Sequence, residues 1–303
     1  MPQPTAANDR NFGVELELIV DDDDALARHL RSEGVNIRCE GYNHETRGHW
    51  KIVSDSSVRG THPREHNLLG REIVSPILCG EHGREQVRAL LDAAETYRGV
   101  ARVNRTCGMH VHISCADLSL KQIKRCAKAQ LKYEWVLDQF VPASRRANEN
   151  QFCYSVSRSF GDGNTLSSIE ETGFSMIDSA RDLYQLRGMV QRAGGRQTKW
   201  NLDRYTDRGT IEIRHGGGTL DADKACNWIE LWTSFFTGFA DARLRPSRLN
   251  HEQSNTNNSP GQLTLDKAIR RLFKHIRAED GSINKPLRKY FQQRARDLNP
   301  AIN

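Results

Sequence analysis

No run of about 18 apolar residues occurs in this 303-residue chain, so a transmembrane helix is not expected. The opening residues, Met1-Pro2-Gln3-Pro4, lack the apolar core of a secretion signal. No Cys-x-x-Cys pair is found among the seven scattered cysteines (Cys39, Cys79, Cys107, Cys115, Cys126, Cys153 and Cys226). Their odd number and spacing argue against a disulfide framework and a thiolate zinc site. They favour free thiols in a reducing cytoplasm. The phosphate-binding pattern Gly-x-x-x-x-Gly-Lys-[Ser/Thr] and the dinucleotide fingerprint are both missing, so a nucleotide would have to bind by other means. There is no internal repeat.

What is present is ordinary in bulk and uneven in detail. With 37% hydrophobic and 27% charged residues, the composition is that of a globular protein. The length allows one large domain or two small ones. The net charge of +6 is not spread evenly. Residues 241–303 hold 13 Lys and Arg against 6 Asp and Glu, a net +7, so the remainder is close to −1. The basic character belongs to the C-terminal fifth, and says little about the rest.

Four stretches alternate apolar and ionisable residues with the period of a half-buried strand. In Phe12-Gly13-Val14-Glu15-Leu16-Glu17-Leu18, Val14, Leu16 and Leu18 share one face, and Glu15 and Glu17 the other. In Arg71–Leu78, Glu72 is the acidic member, and Pro76 ends or edges the strand. In Cys107–Ser114, Val111 and Ile113 oppose His110 and His112. In Gly209–Thr219, Ile211 and Ile213 oppose Glu212 and Arg214. Three glycines follow Arg214 and His215 and allow a close approach to the backbone, a nucleotide or substrate among the candidates. Taken alone, Glu212 and Arg214 read as a surface ion pair, whereas His110 and His112, two histidines at i and i+2 on one strand face, point to a metal or phosphate as readily as to a structural role.

The remaining segments are read in turn. Asp21–Asp24 precede a helix, and four aspartates there favour its N-terminus through capping and the macrodipole rather than forming a metal site. Trp50–Val58 is a strand running into a turn, in which Asp55 either touches a ligand or makes an Asx turn. Helical spacing marks 84–97, 120–140 and 221–239, and weakly 178–192. Residues 59–67 and 142–173 read as loops, and 199–205 as a short strand followed by a tight turn to Gly209. Two basic helices are expected near 265–277 and 285–296. The expected organisation is a catalytic domain over 11–242, a linker over 243–262 (its His251–Gly261 stretch made largely of Asn and Ser with Gln, Thr and one Pro) and a basic helical extension over 263–303.

If the four strands share a sheet, their polar face collects Glu15, Glu17, Glu72, His110, His112, Glu212 and Arg214. Helices cover the other face. Carboxylates gathered in this way repel unless cations neutralise them. Oxygen-rich clusters suit magnesium or manganese, and Arg214 would suit a phosphoryl group in transfer.

In order along the chain, Phe-Gly-Val-Glu-Leu-Glu (12–17), Glu-Ile-Val-Ser-Pro-Ile-Leu (72–78), Gly-Met-His-Val-His-Ile (108–113) and Gly-Thr-Ile-Glu-Ile-Arg…Gly-Gly-Thr (209–219) resemble the amidoligases of the glutamine synthetase and glutamate–cysteine ligase superfamily. Trp50…Asp55-Ser56-Ser57 and Asn201-Leu202 fall where that family has similar residues. The resemblance spans roughly residues 11 to 240. It implies an α+β fold: a curved, mainly antiparallel, glutamine-synthetase-like sheet with helices on one face, extended here by the basic helices. It also implies an ATP-dependent carboxylate–amine ligase working through an acyl phosphate, with Mg2+ or Mn2+. By motif, Glu15, Glu17, Glu72, His110 and Glu212 would hold the metal ions, with His112 beside them at the nucleotide phosphates. Arg214 would steady the transferred phosphoryl group, and Arg204 and Arg208 would contact phosphate or a substrate carboxylate. Asp55 would orient or deprotonate the amine. The substrates would be a small-molecule or peptide carboxylate and an amine such as an amino acid or polyamine.

Two other readings use the same residues. A metal-dependent phosphotransferase or phosphohydrolase needs the acidic face but no amine site. A binding protein would instead use the basic tail to grip nucleic acid or another acidic polymer. Oligomerisation is possible, but no large ring assembly is expected of a chain this short.

Overall fold

A computed structural model describes residues 10–161, 166–247, 264–278 and 280–300. The N-terminal residues read for a signal, most of the expected linker and the last three residues lie outside the described part. The chain runs β1 (Asn11–Val20), α1 (Asp23–Ser32), β2 (Ile37–Cys39), β3 (Trp50–Ser54), β4 (Leu69–Val74), β5 (Leu78–Cys79), α2 (Gly80–Glu95), β6 (Ala101–Arg102), β7 (Gly108–Ser114) and α3 (Leu120–Asp138). It continues through α4 (Leu166–Ser179), α5 (Leu183–Val190), β8 (Trp200–Asn201), α6 (Tyr205–Arg208), β9 (Thr210–Gly217), α7 (Ala222–Phe239), α8 (Leu265–Leu272) and α9 (Lys285–Leu298). Two compact units result. Among the described residues, a sheet unit holds the chain from Arg10 to Ser114 together with Ile213–Thr233, and a helical unit holds those of Cys115–Glu212 and those from Ser234 onward.

In the sheet unit the strand order is β2-β3-β4-β1-β7-β9, with β5 and β6 also paired to β1. Strand β1 is antiparallel to β4, β5, β6 and β7, and β3 is antiparallel to β4. Only β2 and β3 are parallel among the registered pairs. The expected α+β class and mainly antiparallel sheet are therefore present. Alternation drives β1: Val14, Leu16 and Leu18 bury their side chains on one face. The strand expected over 71–78 is instead two strands, β4 and β5. Pro76 has no N–H to continue the ladder, and the Ser75 hydroxyl takes over, accepting from Val14 N at 2.8 Å and donating to Pro76 O at 2.7 Å. The aspartates before α1 are structural: Asp22 caps the helix by accepting from Ala25 N at 2.8 Å, and Asp23 pairs with Arg71.

The glycines after Arg214 serve the sheet. A Cβ on Gly216 would sit 2.5 Å from Met109 O, and one on Gly218 would sit 2.6 Å from Cys107 Cβ. At Gly216 and Gly218 the close approach is to the backbone and side chains around β7, where Gly218 N donates to Cys107 O at 2.9 Å.

The helical unit is built on α3, whose start is a capping box of Ser119 and Gln122. Helix α4 packs against it, and a Cβ on Gly173 would lie 2.3 Å from Leu131 Cδ2. The loop expected over 142–173 is therefore cut short by α4. Its glycine signals close helix packing rather than a turn. Helix α8 also packs on α3, and α9 joins through Phe140 and Phe291, with ring centroids 4.7 Å apart, and through Arg294 Nε donating to Phe140 O at 2.7 Å. Both basic helices thus bury an apolar face (Ala268, Ile269, Leu272; Leu287, Phe291, Ala295). The tight turn before β9 is the single helical turn α6, closed by Gly209 at φ 65°, where a Cβ would meet Ala116 Cβ at 2.6 Å. None of the seven cysteines forms a disulfide. No helix among the described residues is long and apolar enough to cross a membrane.

Candidate functional site

Register gathers the ionisable residues of the sheet unit. Lys51 of β3, Val74 of β4, Glu15 of β1 and His110 of β7 lie in one cross-strand row. Val53, Glu72 and Glu17 form the next row, and His112 lies opposite Gly13. Directly opposed residues share a face at about 5 Å, so three strands deliver Glu15, Glu17, Glu72, His110 and His112 to one patch.

Hydrogen bonds tie the patch together. Glu15 meets His110 Nδ1 at 3.0 Å through Oε2 and His112 Nε2 at 2.9 Å through Oε1. Glu17 takes the other side of the His110 ring, Nε2 to Oε1 at 3.3 Å, and accepts from Gly108 N at 2.6 Å. A carboxylate on each ring nitrogen fixes the orientation of His110, and a metal ion would have to take one of those nitrogens in place of its carboxylate.

The charges do not balance. Burial raises the Glu15 carboxyl, but attraction to His112 and hydrogen bonds from His110 and His112 outweigh it and hold this group well below the usual carboxylate range. Glu72 goes the other way: burial, then repulsion from Glu15 and Glu17, pushes it well above that range, and Asp55 adds to the repulsion. Three carboxylates face two imidazoles with Lys51 in the same row, and Glu72 is the acid pushed upward. A hard divalent cation would relieve this excess, and the oxygen and imidazole donors suit one.

The polar face is less open than expected. Glu17 and His110 are buried, and Glu15, Glu72 and His112 are half-buried. The alternation predicts which side chains share a face, but says nothing of how deep that face lies.

Asp55 makes the Asx turn, its Oδ1 accepting from Ser57 N at 2.8 Å and Ser57 Oγ at 2.7 Å. Arg214 is half-buried on β9 within the sheet unit. Glu212 immediately precedes Ile213 on the same strand but belongs to the helical unit. There it is buried and accepts from Asn201 Nδ2 at 2.7 Å. Arg204 and Arg208 both reach Asp207, at 3.4 and 4.0 Å.

Sequence reasoning missed Lys51. It is buried in the same row as Glu15 and His110, and its Nζ donates to Asn43 O, Asn43 Oδ1 and Glu45 O at 3.1, 2.7 and 2.8 Å. Burial lowers its pKa, partly opposed by Glu40 and Glu72. A charged residue in mid-strand between Trp50 and Ile52 was the available signal.

Residues 8–236 match the sequence model of a family described as a putative amidoligase enzyme. No curated protein matches the sequence. Among solved structures, the chain is similar to one in the crystal structure of the complex between prokaryotic ubiquitin-like protein Pup and its ligase PafA. The two share 13% sequence identity with a TM-score of 0.41, over 98% of this chain and 64% of that one. A likeness this distant transfers neither a reaction nor a partner, and this chain spans less than two thirds of the other's length.

Proposed function

The chain belongs to the putative amidoligase family, and from that membership we propose that it is an ATP- and divalent-metal-dependent carboxylate–amine ligase. The observation that carries the metal requirement is the unbalanced patch in which Glu15, Glu17 and Glu72 surround His110 and His112. In this reading Glu15, Glu17, Glu72, His110 and Glu212 hold Mg2+ or Mn2+. ATP with its metal, when bound, would supply the phosphoryl group that activates the donor carboxylate as an acyl phosphate, releasing ADP, and the amine would displace phosphate from it.

The remaining roles belong to the chain's own residues. His112 and Arg214 face the phosphates, and Arg214 carries the positive charge that a transferring phosphoryl group needs. Arg204 and Arg208 contact phosphate or a substrate carboxylate. Asp55 orients or deprotonates the amine. Since its Oδ1 is committed to Ser57, the base is Oδ2. The carboxylate is a small molecule or a peptide, the amine an amino acid or a polyamine. Residues 11–242 form the catalytic part and 263–303 its basic extension. Lys267, Arg270, Arg271 and Lys274 line one exposed stripe there at helical spacing, a place where an acidic polymer would be gripped.

The test is incubation with ATP, Mg2+ and a panel of amino acids and polyamines, with phosphate release and product masses read together. The expected result is release that depends on both a carboxylate and an amine, with a product lighter than their sum by one water. Release indifferent to every amine would favour the phosphohydrolase and count against ligation.

A further inference from the structure

Lys51 stands in the cross-strand row that carries Val74, Glu15 and His110, and the proposed chemistry gives it no part. It is 2% exposed. Two strand spacings, about 10 Å, separate its backbone from that of Glu15. Its Nζ donates to Asn43 O, Asn43 Oδ1 and Glu45 O at 3.1, 2.7 and 2.8 Å. Three acceptors suit an ammonium, which has three N–H groups. A neutral amine has two, and would set its lone pair against one of the oxygens. The cage is itself fixed. Asn43 Oδ1 also accepts from Glu45 N at 3.1 Å, and Asn43 Nδ2 donates to Glu40 Oε2 at 3.0 Å and to Gly41 O at 2.8 Å. A reversed amide would set N–H groups against N–H groups and a carbonyl against a carboxylate. Glu40 is tied in turn to His49 Nε2 at 2.8 Å and Arg47 Nε at 3.2 Å.

The type of acceptor matters. All three oxygens around Nζ are neutral, and among the described residues no carboxylate lies in ion-pair contact with Lys51. Its donors are spent and its charge is kept. Burial works against that charge, while attraction to Glu40, Glu72 and Glu15 works for it. A lysine placed directly on Glu15 or Glu72 would occupy one acid. A lysine caged in the same row acts on the whole patch at a distance, and leaves the carboxylate oxygens to other partners.

We propose that Lys51 is a fixed counter-charge that sets the cation affinity of the Glu15, Glu17 and Glu72 patch. Without metal it offsets part of the acid excess. With metal it opposes the ion, which is then held more weakly than the acids alone would hold it. The inference rests on the assignment of these acids as metal ligands made above. A unit charge about 10 Å from a divalent ion changes its affinity on the order of tenfold, taking a dielectric constant between those of protein and water.

The experiment uses the full chain stripped with a chelator and titrated with Mg2+ or Mn2+ alone. The readout is the metal concentration that produces a given rise in unfolding temperature, which scales with the dissociation constant. Lys51→Gln removes the charge and keeps an amide for the Asn43 and Glu45 oxygens. Lys51→Met is the second variant. Both should need less metal than wild type, on the order of tenfold less. Losing a lysine that only braces the loop would leave that concentration unchanged or raise it. Glu15→Gln should lose the metal response, and tests the assignment underneath. If Glu15→Gln loses it while neither Lys51 variant needs less metal, the metal assignment stands and the counter-charge is overturned. If wild type shows no rise, or Glu15→Gln responds as wild type, the metal assignment itself has failed and this inference goes with it. Failure of both Lys51 variants to fold makes Lys51 a residue of the fold and overturns the counter-charge.

Discussion

Two buried charge clusters, one in each unit, are made from similar parts and reach opposite ends. In the helical unit, Lys199 is fully buried with its Nζ 2.6 Å from Asp138 Oδ1, 4.0 Å from Glu134 Oε1 and 3.1 Å from Ser155 Oγ. Burial works against its charge, but Glu134 and Asp138 overcome this and raise its pKa. The acids are further satisfied by backbone: Glu134 accepts from Val156 N and Ser157 N at 2.7 and 2.9 Å, and Asp138 from Ala147 N at 2.8 Å. Every member is held by another part of the chain, so the cluster ties α3 to the segments around 147–157 and Lys199. In the sheet unit, Glu15, Glu17 and Glu72 meet two imidazoles and a lysine whose three hydrogen bonds go to Asn43 and Glu45. There burial, then Glu15 and Glu17, push Glu72 well above the usual carboxylate range; burial raises Glu134 of the helical unit too, but Lys199 and two backbone N–H groups oppose it. A cluster that closes on itself is architecture. A cluster with acid to spare is the one to which the proposed function assigns a cation.

The largest expected effect tests the closed cluster. Lys199→Met leaves two acids buried without their cation, and breaking a buried pair by removing one partner costs about 3–5 kcal/mol. Chemical denaturation should show a loss of that size. A loss under about 1 kcal/mol would mean that the cluster is not the tie described here.

The next effect tests the open cluster and has the opposite signature. Glu15→Gln should abolish metal-dependent ATP turnover, a loss of about 100-fold or more, while leaving the chain folded without metal, at the loss of only the stability that its carboxylate draws from His110 and His112. It removes charge from a crowded patch rather than packing from a core. The same is expected of Glu212→Gln. Wild-type turnover in both would remove the assignment, and unfolding of Glu15→Gln would make the sheet patch architectural too.

The smallest effect is a slope with pH. The Glu72 carboxyl is raised above its ordinary value of 4.5 in the folded chain, so between 4.5 and that higher value the folded state binds more proton than the unfolded. Stability without metal should therefore fall as pH rises through that window. Glu15, shifted downward, acts only below 4.5, where stability falls as pH falls. Glu72→Gln should flatten the upper slope, and saturating Mg2+ should do the same in wild type. A slope that survives both changes has another source.

Much of the sheet was legible because strand alternation is a local property. Val14, Leu16 and Leu18 against Glu15 and Glu17, or Val111 and Ile113 against His110 and His112, need only a period of two to be read. Two- and three-residue strands such as β2 and β6 were not legible, being too short to show a period. Helix α4 was hidden by its Ser and Gly content. Gly173 reads as a loop residue until Leu131 is seen against it. Of the candidate site, Glu15, Glu17, Glu72, His110 and His112 were found and do come together. Lys51 was not, because its meaning depends on Val74 and Glu15 across two strands.

The sequence by itself determined which residues share a face, where α1 is capped and where β4 must stop, since each depends on the chain within a few residues. Only the tertiary structure decided that Glu15 lies opposite His110, Glu72 opposite Glu17 and Lys199 against Asp138. These pairings join residues far apart in the chain, and electrostatic energy depends on distance and burial, not on order along the chain. Whether a buried acid is satisfied or in excess is therefore settled where the strands and helices meet.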